Sequence, residues 1–380
     1  MARVPYLERD PVSPELRTSG MLAIVTLLLL LGATVAGAGP LRTDFTKALV
    51  PLEEIVPGGP PPDGIPAIDR PVFVAAGAAD AWLPPAEPVV AVEVNGDARA
   101  YPLRVMIWHE IVNDTVGGKA VAVTYCPLCN SGLVFDRQVD GRALDFGTSG
   151  MLFKSDLVMY DRQTHSLWAQ MEGRAIVGEL AGVRLAMIPA NTIAYADFKA
   201  AYPGGKVLSQ ETGFSRRYGL NPYGYYDQPN LDPFLLKGAP DRRRPPKERV
   251  VGVLLGGAPR AYPWPALVKQ RVIHDAVSVE PLVIFYQPGA RSALDEPRME
   301  QSRSIGATGV FNPTVAGRSL TFEPAGDGFR DRETGSVWNL LGHAVKGPLA
   351  GQRLRAVPHV DAFWFAWAAF HPSTSVYGGP

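Results

Sequence analysis

The order of apolar and polar positions along the chain predicts mostly short β-strands. Residues 89–94 and 98–101 flank the sequence Asn95-Gly96-Asp97, an arrangement that is typical of a β-hairpin with a tight turn. Residues 120–125 form an apolar run with the length of a buried strand, and residues 133–136 are predicted to pair with it. Hairpins are therefore expected to be the main building blocks.

Helical patterns are few and short, the candidates being residues 103–112, 192–201 and 361–370. The chain has 39 Gly and 36 Pro among 380 residues, and both residue types favour turns over long elements. We therefore expect an α+β fold that is β-dominated, with short helices.

Three segments of the first half of the chain return in the second half. The pairs are 99–102 with 260–263, 161–168 with 331–338, and 178–185 with 347–354. Together they predict a tandem duplication of one unit of about 120 residues, with two similar units packed together.

The two predicted copies differ in their chemically reactive residues. The second copy has no cysteine. The offset of 161 residues that relates 99–102 to 260–263 gives the following pairs: Cys126 with Gln287, Cys129 with Ala290, His109 with Gln270, and Glu110 with Arg271. Residues that the shared scaffold does not need are the best candidates for function.

Length and charge limit the class of protein. A chain of 380 residues suits two units of about 150 residues behind a leader. Lys+Arg and Asp+Glu both number 37, so nothing in the charge balance favours a nucleic-acid partner. The expected organisation is a leader (1–38), a Pro/Gly-rich extended segment (39–87), the first repeat (88–209), a connector rich in Pro, Tyr and Arg (210–247), and a degenerate second repeat (248–380).

The leader has the pattern of an export signal. Arg3, Arg9 and Arg17 precede an uncharged apolar stretch over residues 21–38, which ends in the small-residue sequence Ala36-Gly37-Ala38. A stretch of this length also suits an uncleaved N-terminal membrane anchor. Either interpretation places the globular part outside the cytoplasm, as a periplasmic, secreted or surface-anchored protein.

Several motifs resemble a known family. They are residues 125–132 (YCPLCNSG), 155–162 with 166–168, and the aromatic C-terminal segment 363–372. In these motifs the chain resembles a prokaryotic family catalogued as domain of unknown function 3179, over about residues 44–377. The resemblance implies no activity. In some members the second cysteine is replaced, which implies a larger role for Cys126 than for Cys129.

The pair Cys126 and Cys129 is the main candidate site. Two thiolates at this spacing can bind one thiophilic metal ion, with His109 as a candidate third ligand; copper and zinc are the candidate metals. The alternatives are a redox pair, a small local disulfide, and Cys126 as a nucleophile with His109 as its base and Glu110 or Asp114 orienting the imidazole.

Three further residues of the first copy are candidates for a ligand groove beside the cysteines, namely Met151, His165 and Trp168. Packing in the core is the favoured interpretation for Met151 and Trp168, and a surface turn for His165. The leading hypothesis is an extracytoplasmic protein with a thiolate-centred site for a metal or a small molecule. The rivals are a thiol-dependent enzyme or redox protein, and a structural protein with an inert disulfide.

Overall fold

A computed structural model describes residues 39–379 of the chain. The predicted leader, residues 1–38, lies outside the described residues. Within residues 39–379, no helix combines the length and the apolar character that a membrane span requires.

Short strands make up most of the structure. Those of the first half are β1 (Ile55–Pro57), β2 (Phe73–Ala75), β3 (Pro88–Val94), β4 (Asp97–Pro102), β5 (Ile111–Val116), β6 (Lys119–Cys126), β7 (Ser131–Asp136), β8 (Gln138–Val139), β9 (Arg142–Ala143), β10 (Phe146–Phe153), β11 (Asp156–Asp161), β12 (Leu167–Ala169), β13 (Arg174–Val177), β14 (Met187–Ile188), β15 (Asn191–Ala194) and β16 (Lys206–Leu208).

The strands of the second half are β17 (Arg249–Leu255), β18 (Ala258–Pro263), β19 (Val272–Val277), β20 (Glu280–Gln287), β21 (Ala307–Asn312), β22 (Thr314–Val315), β23 (Arg318–Ser319), β24 (Phe322–Ala325), β25 (Gly328–Asp331), β26 (Val337–Trp338), β27 (Ala344–Lys346), β28 (Arg355–Ala356), β29 (Val360–Phe363) and β30 (Ser375–Val376).

The helices are short. The α-helices are α1 (Leu103–Met106), α2 (Tyr195–Ala201), α3 (Trp264–Gln270) and α4 (Trp364–Phe370), and the 3-10 helices are η1 (Leu52–Glu54), η2 (Ala76–Ala81), η3 (Gln170–Glu172) and η4 (Met299–Gln301). The predicted β-dominated fold with few helices is confirmed.

The sheets have similar strand orders in the two halves. The first half contains β15-β3-β4-β16-β2, β14-β7-β6-β5, β1-β10-β11-β12-β13 and the hairpin β8-β9. The second half contains β29-β17-β18-β30, β19-β20-β21-β28, β24-β25-β26-β27 and the hairpin β22-β23. Ile111 pairs with Thr124 and Val272 pairs with Phe285, so the offset of 161 residues also describes the strand register.

Both predicted hairpins are present. Strand β3 pairs with β4 through the turn at Asn95 and Gly96, and β6 pairs with β7. The three predicted helices, however, were too long. Residues 103–112 contain only the four-residue helix α1 and then enter β5, while the first residues of 192–201 and 361–370 belong to β15 and β29. Pairing with neighbouring strands outweighs the weak helical pattern at these points.

Buried apolar side chains form three clusters among the described residues. The largest extends over the sheets of the first half and includes the α4 residues Trp364 and Trp367. The second joins first-half residues such as Phe198 to second-half residues such as Trp338. Two of the three clusters therefore contain side chains from both halves of the chain.

Candidate functional site

The two cysteines lie in the turn between β6 and β7. Cys126 is the last residue of β6 and pairs with Ser131, the first residue of β7, so residues 127–130 form the connection. Asn130 completes the turn with a φ of 53°, a left-handed conformation that Asn tolerates better than most residues. Both cysteines are free thiols, and Cys126 and Cys129 are 1% and 0% exposed.

Asp156 joins the two cysteines in a compact cluster. It is the first residue of β11 and follows a hairpin turn in which Lys154 and Ser155 both have positive φ. One ligand atom from each of Cys126, Cys129 and Asp156 lies within 4.8 Å of the other two. We refer to these three residues as the thiol–carboxyl cluster.

Hydrogen bonds fix the orientation of the Asp156 carboxyl group. The Sγ atom of Cys129 donates to Asp156 Oδ1 at 3.4 Å, and the backbone N–H of Met171 donates to Oδ2 at 2.9 Å. One oxygen therefore faces the sulfur atoms, while the other is held by the backbone at η3.

The hairpin that carries Asp156 is longer than its second-half counterpart. Strand β11 has six residues and ends at Asp161, whereas β25 has four residues and ends at Asp331. The repeated motif starts at these two aspartates. The end of the hairpin that carries Asp156 is therefore present only in the first half, which also carries both cysteines.

Burial favours the protonated form of each group in the cluster. It raises the pKa of Asp156 to about 7 and the pKa of the Cys126 thiol above its ordinary value. The pKa of Cys129 is raised even further, by burial and by the neighbouring Cys126 thiol. Three buried anions would be costly without a compensating cation.

Glu110 lies beside the cluster. It has a φ of 60°, and its backbone oxygen accepts a hydrogen bond from the N–H of Tyr125, one residue before Cys126. Burial and the nearby Asp156 raise the pKa of Glu110 to about 8. Arg271 occupies the corresponding position in the second half, with a φ of 62° and the same backbone bond to Tyr286.

A small cavity of about 50 Å³ adjoins the cluster, and we call it the Glu110 cavity. Its walls are mainly apolar and include Leu128, which lies between the two cysteines in sequence. They are formed by Gly58, Pro60, Ile65, Glu110, Leu128, Thr148, Gly150, Met151, Leu152, Leu157, Tyr223 and Phe234.

The connector, residues 210–247, covers the site. Tyr223 and Phe234 from this segment line the Glu110 cavity, and the Ser155 hydroxyl donates to the backbone oxygen of Phe234. The ring of Tyr226 is buried, and the Nζ atom of Lys247 lies 3.1 Å from its centroid. The connector is thus part of the site.

The second half also contacts the site directly. The backbone N–H of Phe363 donates to the backbone oxygen of Cys129 at 2.9 Å, and Lys154 Nζ donates to the backbone oxygen of Ala369. The strand β29 and the helix α4 therefore support the cysteine turn from outside the first half.

His109, a candidate third ligand or base, is placed elsewhere. Its Nδ1 bonds to the backbone oxygen of Pro66 and its Nε2 bonds to the hydroxyl of Tyr218, each at 2.7 Å. Burial lowers its pKa to about 4. Both ring nitrogens are thus engaged, and within residues 39–379 the structure groups the two cysteines with Asp156 instead. Asp114 binds Arg99 and Tyr101.

The three groove candidates have different environments. Met151 lines the Glu110 cavity. His165 lies in a turn, where its ring nitrogens contact Arg42. Trp168 is fully buried in the core, and its indole N–H donates to Asp161 at 2.9 Å. Of the three, the structure brings Met151 to the site, whereas Trp168 packs in the core because its ring fills space between the sheets.

Asp156 is not among the site residues that the sequence predicts. An acidic residue directly before the apolar run Leu157-Val158-Met159-Tyr160 is unusual for a buried strand, and this feature of the sequence could have identified Asp156. Asp156 follows Cys129 by 27 positions in the chain. Their contact depends on how two separate sheets pack, which strand periodicity does not reveal.

The donor atoms suit a borderline cation. A tetrahedral zinc site has ligand atoms about 3.3–3.8 Å apart, since Zn–S is about 2.3 Å and Zn–O about 2.0–2.2 Å. The 3.4 Å between Cys129 Sγ and Asp156 Oδ1 lies in that range. A carboxylate oxygen beside two sulfurs favours Zn²⁺ over Cu⁺, which prefers sulfur and imidazole.

Comparison with known proteins gives one match. A family model described as "Protein of unknown function (DUF3179)" matches residues 62–374, which include the cluster, the connector and most of the second half. No curated protein and no solved structure matches the chain.

Proposed function

The chain belongs to the DUF3179 family, and from this premise we propose that it binds one thiophilic metal ion through Cys126, Cys129 and Asp156, with Zn²⁺ as the best-suited ion. The observation that carries the proposal is the meeting of three potential anionic donors within 4.8 Å in a fully buried position.

The electrostatics of the cluster support this proposal. Without a cation, burial favours protonated thiols and a protonated carboxyl group. A divalent cation would displace these protons and compensate the charges that the interior disfavours. Three protein ligands also leave a fourth position of a tetrahedral zinc site open, on which a water or a substrate can bind.

Metal analysis tests the proposal. Protein purified without chelators should contain about one zinc per chain, and Co²⁺-substituted protein should show thiolate-to-metal charge-transfer absorption. Cys126→Ser, Cys129→Ser and Asp156→Asn should each weaken metal binding by about tenfold or more. Far-ultraviolet circular dichroism checks that each variant is folded.

His109→Gln is the matched control, because it separates the two candidate third donors. We expect this variant to keep its metal, since both ring nitrogens of His109 are engaged by Pro66 and Tyr218. A metal-free wild-type protein that does not take up Zn²⁺, Co²⁺ or Cu⁺ would refute the proposal. If the protein preferentially retained Cu⁺, the proposed site would stand, but its ion would be Cu⁺ rather than Zn²⁺.

A second candidate function is thiol redox chemistry, favoured by the contact of Cys129 Sγ with Asp156 Oδ1. Oxidation would form the Cys126–Cys129 disulfide, and the two electrons and both thiol protons would pass to an external disulfide, which would be reduced to two thiols. Two buried thiols with raised pKa values are poor nucleophiles, so this candidate ranks second. Equilibration with glutathione buffers, followed by alkylation of the unfolded protein, measures the disulfide directly.

We also propose that the two halves derive from duplication of one unit, with the first copy at 88–209 and the second at 248–380. The similar strand orders and the common offset of 161 residues support this interpretation. The second copy would then serve as a structural partner for the copy that carries the cluster.

The proposed setting is extracytoplasmic, on the strength of the export pattern in residues 1–38. A balanced net charge supports a metal or small molecule, rather than nucleic acid, as the ligand. N-terminal sequencing of the protein from fractionated cells would distinguish a cleaved signal from an anchor, and recovery of the uncleaved chain in the cytoplasm would refute the setting.

A further inference from the structure

Two side chains that line the Glu110 cavity carry polar groups without a hydrogen-bond partner among residues 39–379. These groups are the carboxyl group of Glu110 and the hydroxyl group of Tyr223, whose side chains are 6% and 8% exposed. Burial is the main cause of the raised pKa values of both groups; the nearby Asp156 adds to the pKa shift of Glu110, and Glu110 adds to that of Tyr223. Buried polar groups normally have partners, and a species bound in the cavity would provide them for this pair.

The remaining walls do not provide that partner. Thr148 lines the same cavity, but its hydroxyl donates to the backbone oxygen of Ile65 at 2.7 Å. Leu128, Leu152 and Phe234 contribute apolar surface. A ligand in the Glu110 cavity would therefore meet two polar side chains without partners on a mainly apolar wall.

The volume limits the size of the ligand. A cavity of 150 Å³ holds benzene, so a cavity of about 50 Å³ accommodates a molecule of about two to four non-hydrogen atoms. The apolar walls and the adjacent buried acids disfavour a charged ligand. A carboxyl and a phenol can both donate to one oxygen atom.

We propose that the Glu110 cavity is a binding site for a small neutral molecule with a carbonyl or hydroxyl oxygen, which Glu110 and Tyr223 bind. The inference rests on the cavity and its two polar groups and goes beyond metal binding. Leu128, on the cavity wall, lies in the turn between Cys126 and Cys129, so the ligand would be placed beside the thiol–carboxyl cluster.

Methyl NMR of the full chain tests the proposal. The protein has eight methionines, and Met151 lines the cavity, so its ¹³C-labelled methyl group reports occupancy directly. Formamide and acetamide should shift the Met151 signal in a saturable way, whereas benzamide is too large and should not. Met151→Leu identifies the signal.

Two variants test the roles of the polar groups. Glu110→Gln and Tyr223→Phe should each weaken acetamide binding by about fivefold to tenfold, since each removes or alters one buried hydrogen bond. Arg271→Gln changes the corresponding position of the second half and should leave the affinity unchanged. Leu152→Phe should reduce the cavity volume and abolish the shift.

Titrations with both zinc-loaded and metal-free protein separate this inference from the proposed metal site. A saturable Met151 shift in protein that binds none of Zn²⁺, Co²⁺ and Cu⁺ would support the cavity and refute the metal site. Zinc binding without any response of the Met151 methyl to formamide or acetamide would mean that the cavity holds water only, and would overturn the inference. Equal affinities in wild type, Glu110→Gln and Tyr223→Phe would also overturn it.

Discussion

Buried carboxyl groups in this protein have two contrasting environments. Asp161 and Asp331 each accept hydrogen bonds from a tryptophan indole and from the backbone N–H of the threonine three residues further along the chain. Burial alone would raise the pKa of Asp331, but the hydrogen bonds from Trp338 and Thr334 hold it below its ordinary value. Glu110 and Asp156 instead have raised pKa values. The first pair supports the fold, while the second has the character of a functional site.

Replacement of Asp161 or of Asp331 should destabilise the protein to a similar degree. Asp161→Ala and Asp331→Ala would each leave a buried indole N–H and a turn N–H without their acceptor, at a cost of about 2–5 kcal/mol. Urea unfolding measures the loss. Asp161→Asn retains one acceptor oxygen and should lose less. A loss below about 1 kcal/mol in either alanine variant would contradict the assigned role.

The buried carboxyl groups of Asp156 and Glu110 should make the metal-free protein less stable as the pH rises. In the unfolded chain these carboxyl groups lose their protons near their ordinary pKa values, about 4, but in the folded chain Asp156 and Glu110 keep theirs to about 7 and about 8. The folded state therefore binds more protons between about pH 4 and pH 8, and the free energy of unfolding falls across that window by an amount on the order of a few kcal/mol.

Urea unfolding of metal-free protein at a series of pH values measures this fall. The double variant Asp156→Asn, Glu110→Gln removes both titrating groups and should show a flatter profile over the same window. If the profiles of wild type and double variant run parallel, the two carboxyl groups do not account for the pH dependence.

The elements show how far the sequence predicts this fold. The hairpins β3–β4 and β6–β7 were predicted because their apolar runs flank clear turn residues. The helices were predicted too long, because strands β5, β15 and β29 adjoin them without a break. The cysteine turn was found by comparing the two halves, yet Asp156 lies on a different hairpin. The local sequence pattern predicts the individual hairpins, whereas the site forms where separate hairpins pack against each other.

A pair of facing positions distinguishes the two halves at the element scale. A Cβ atom on Gly252 in β17 would lie 2.2 Å from Cε3 of Trp367 in α4. The corresponding positions of the first half carry Ala91 in β3 and Phe198 in α2. Compared with the first half, the second half thus has a larger aromatic ring on the helix and a smaller residue on the strand.

Gly252→Ala should therefore destabilise the protein by about 1–3 kcal/mol through overpacking. Trp367→Phe in the same chain restores the first-half combination and should recover part of the loss. Thermal and urea unfolding measure both effects. Gly77→Ala is the control, because no atom outside the neighbouring residues lies within 4 Å of its added Cβ. Additive losses in the double variant would contradict direct contact between the two positions.

On the scale of the whole molecule, the halves share their interior. The largest apolar cluster includes Trp364 and Trp367 of α4 together with the core of the first half, and the second cluster also contains side chains of both halves. The buried carboxyl of Asp227 in the connector pairs with Arg249 and Arg303 of the second half, each at 2.9 Å. Neither half buries its apolar surface alone.

The separate halves should therefore fail to fold. A chain of residues 39–247 and a chain of residues 248–380 should each lack near-ultraviolet circular dichroism and a cooperative unfolding transition, whereas the full chain should unfold in one transition. A protease site inserted at the exposed Gly238 provides the control, since cutting after folding should preserve the structure. A fragment 39–247 that unfolds cooperatively would contradict the shared core.

The cover formed by Tyr223, Tyr226 and Phe234 has a kinetic consequence. Both cysteines are buried, and Tyr223 and Phe234 line the adjacent cavity, so we expect an ion or a chelator in solution to reach the sulfur atoms after part of the connector has moved away. The rate of metal exchange would then be set by this local opening and would stay constant as the chelator concentration is increased. A metal acquired while the polypeptide is still folding would leave the native protein only as fast as this local opening allows.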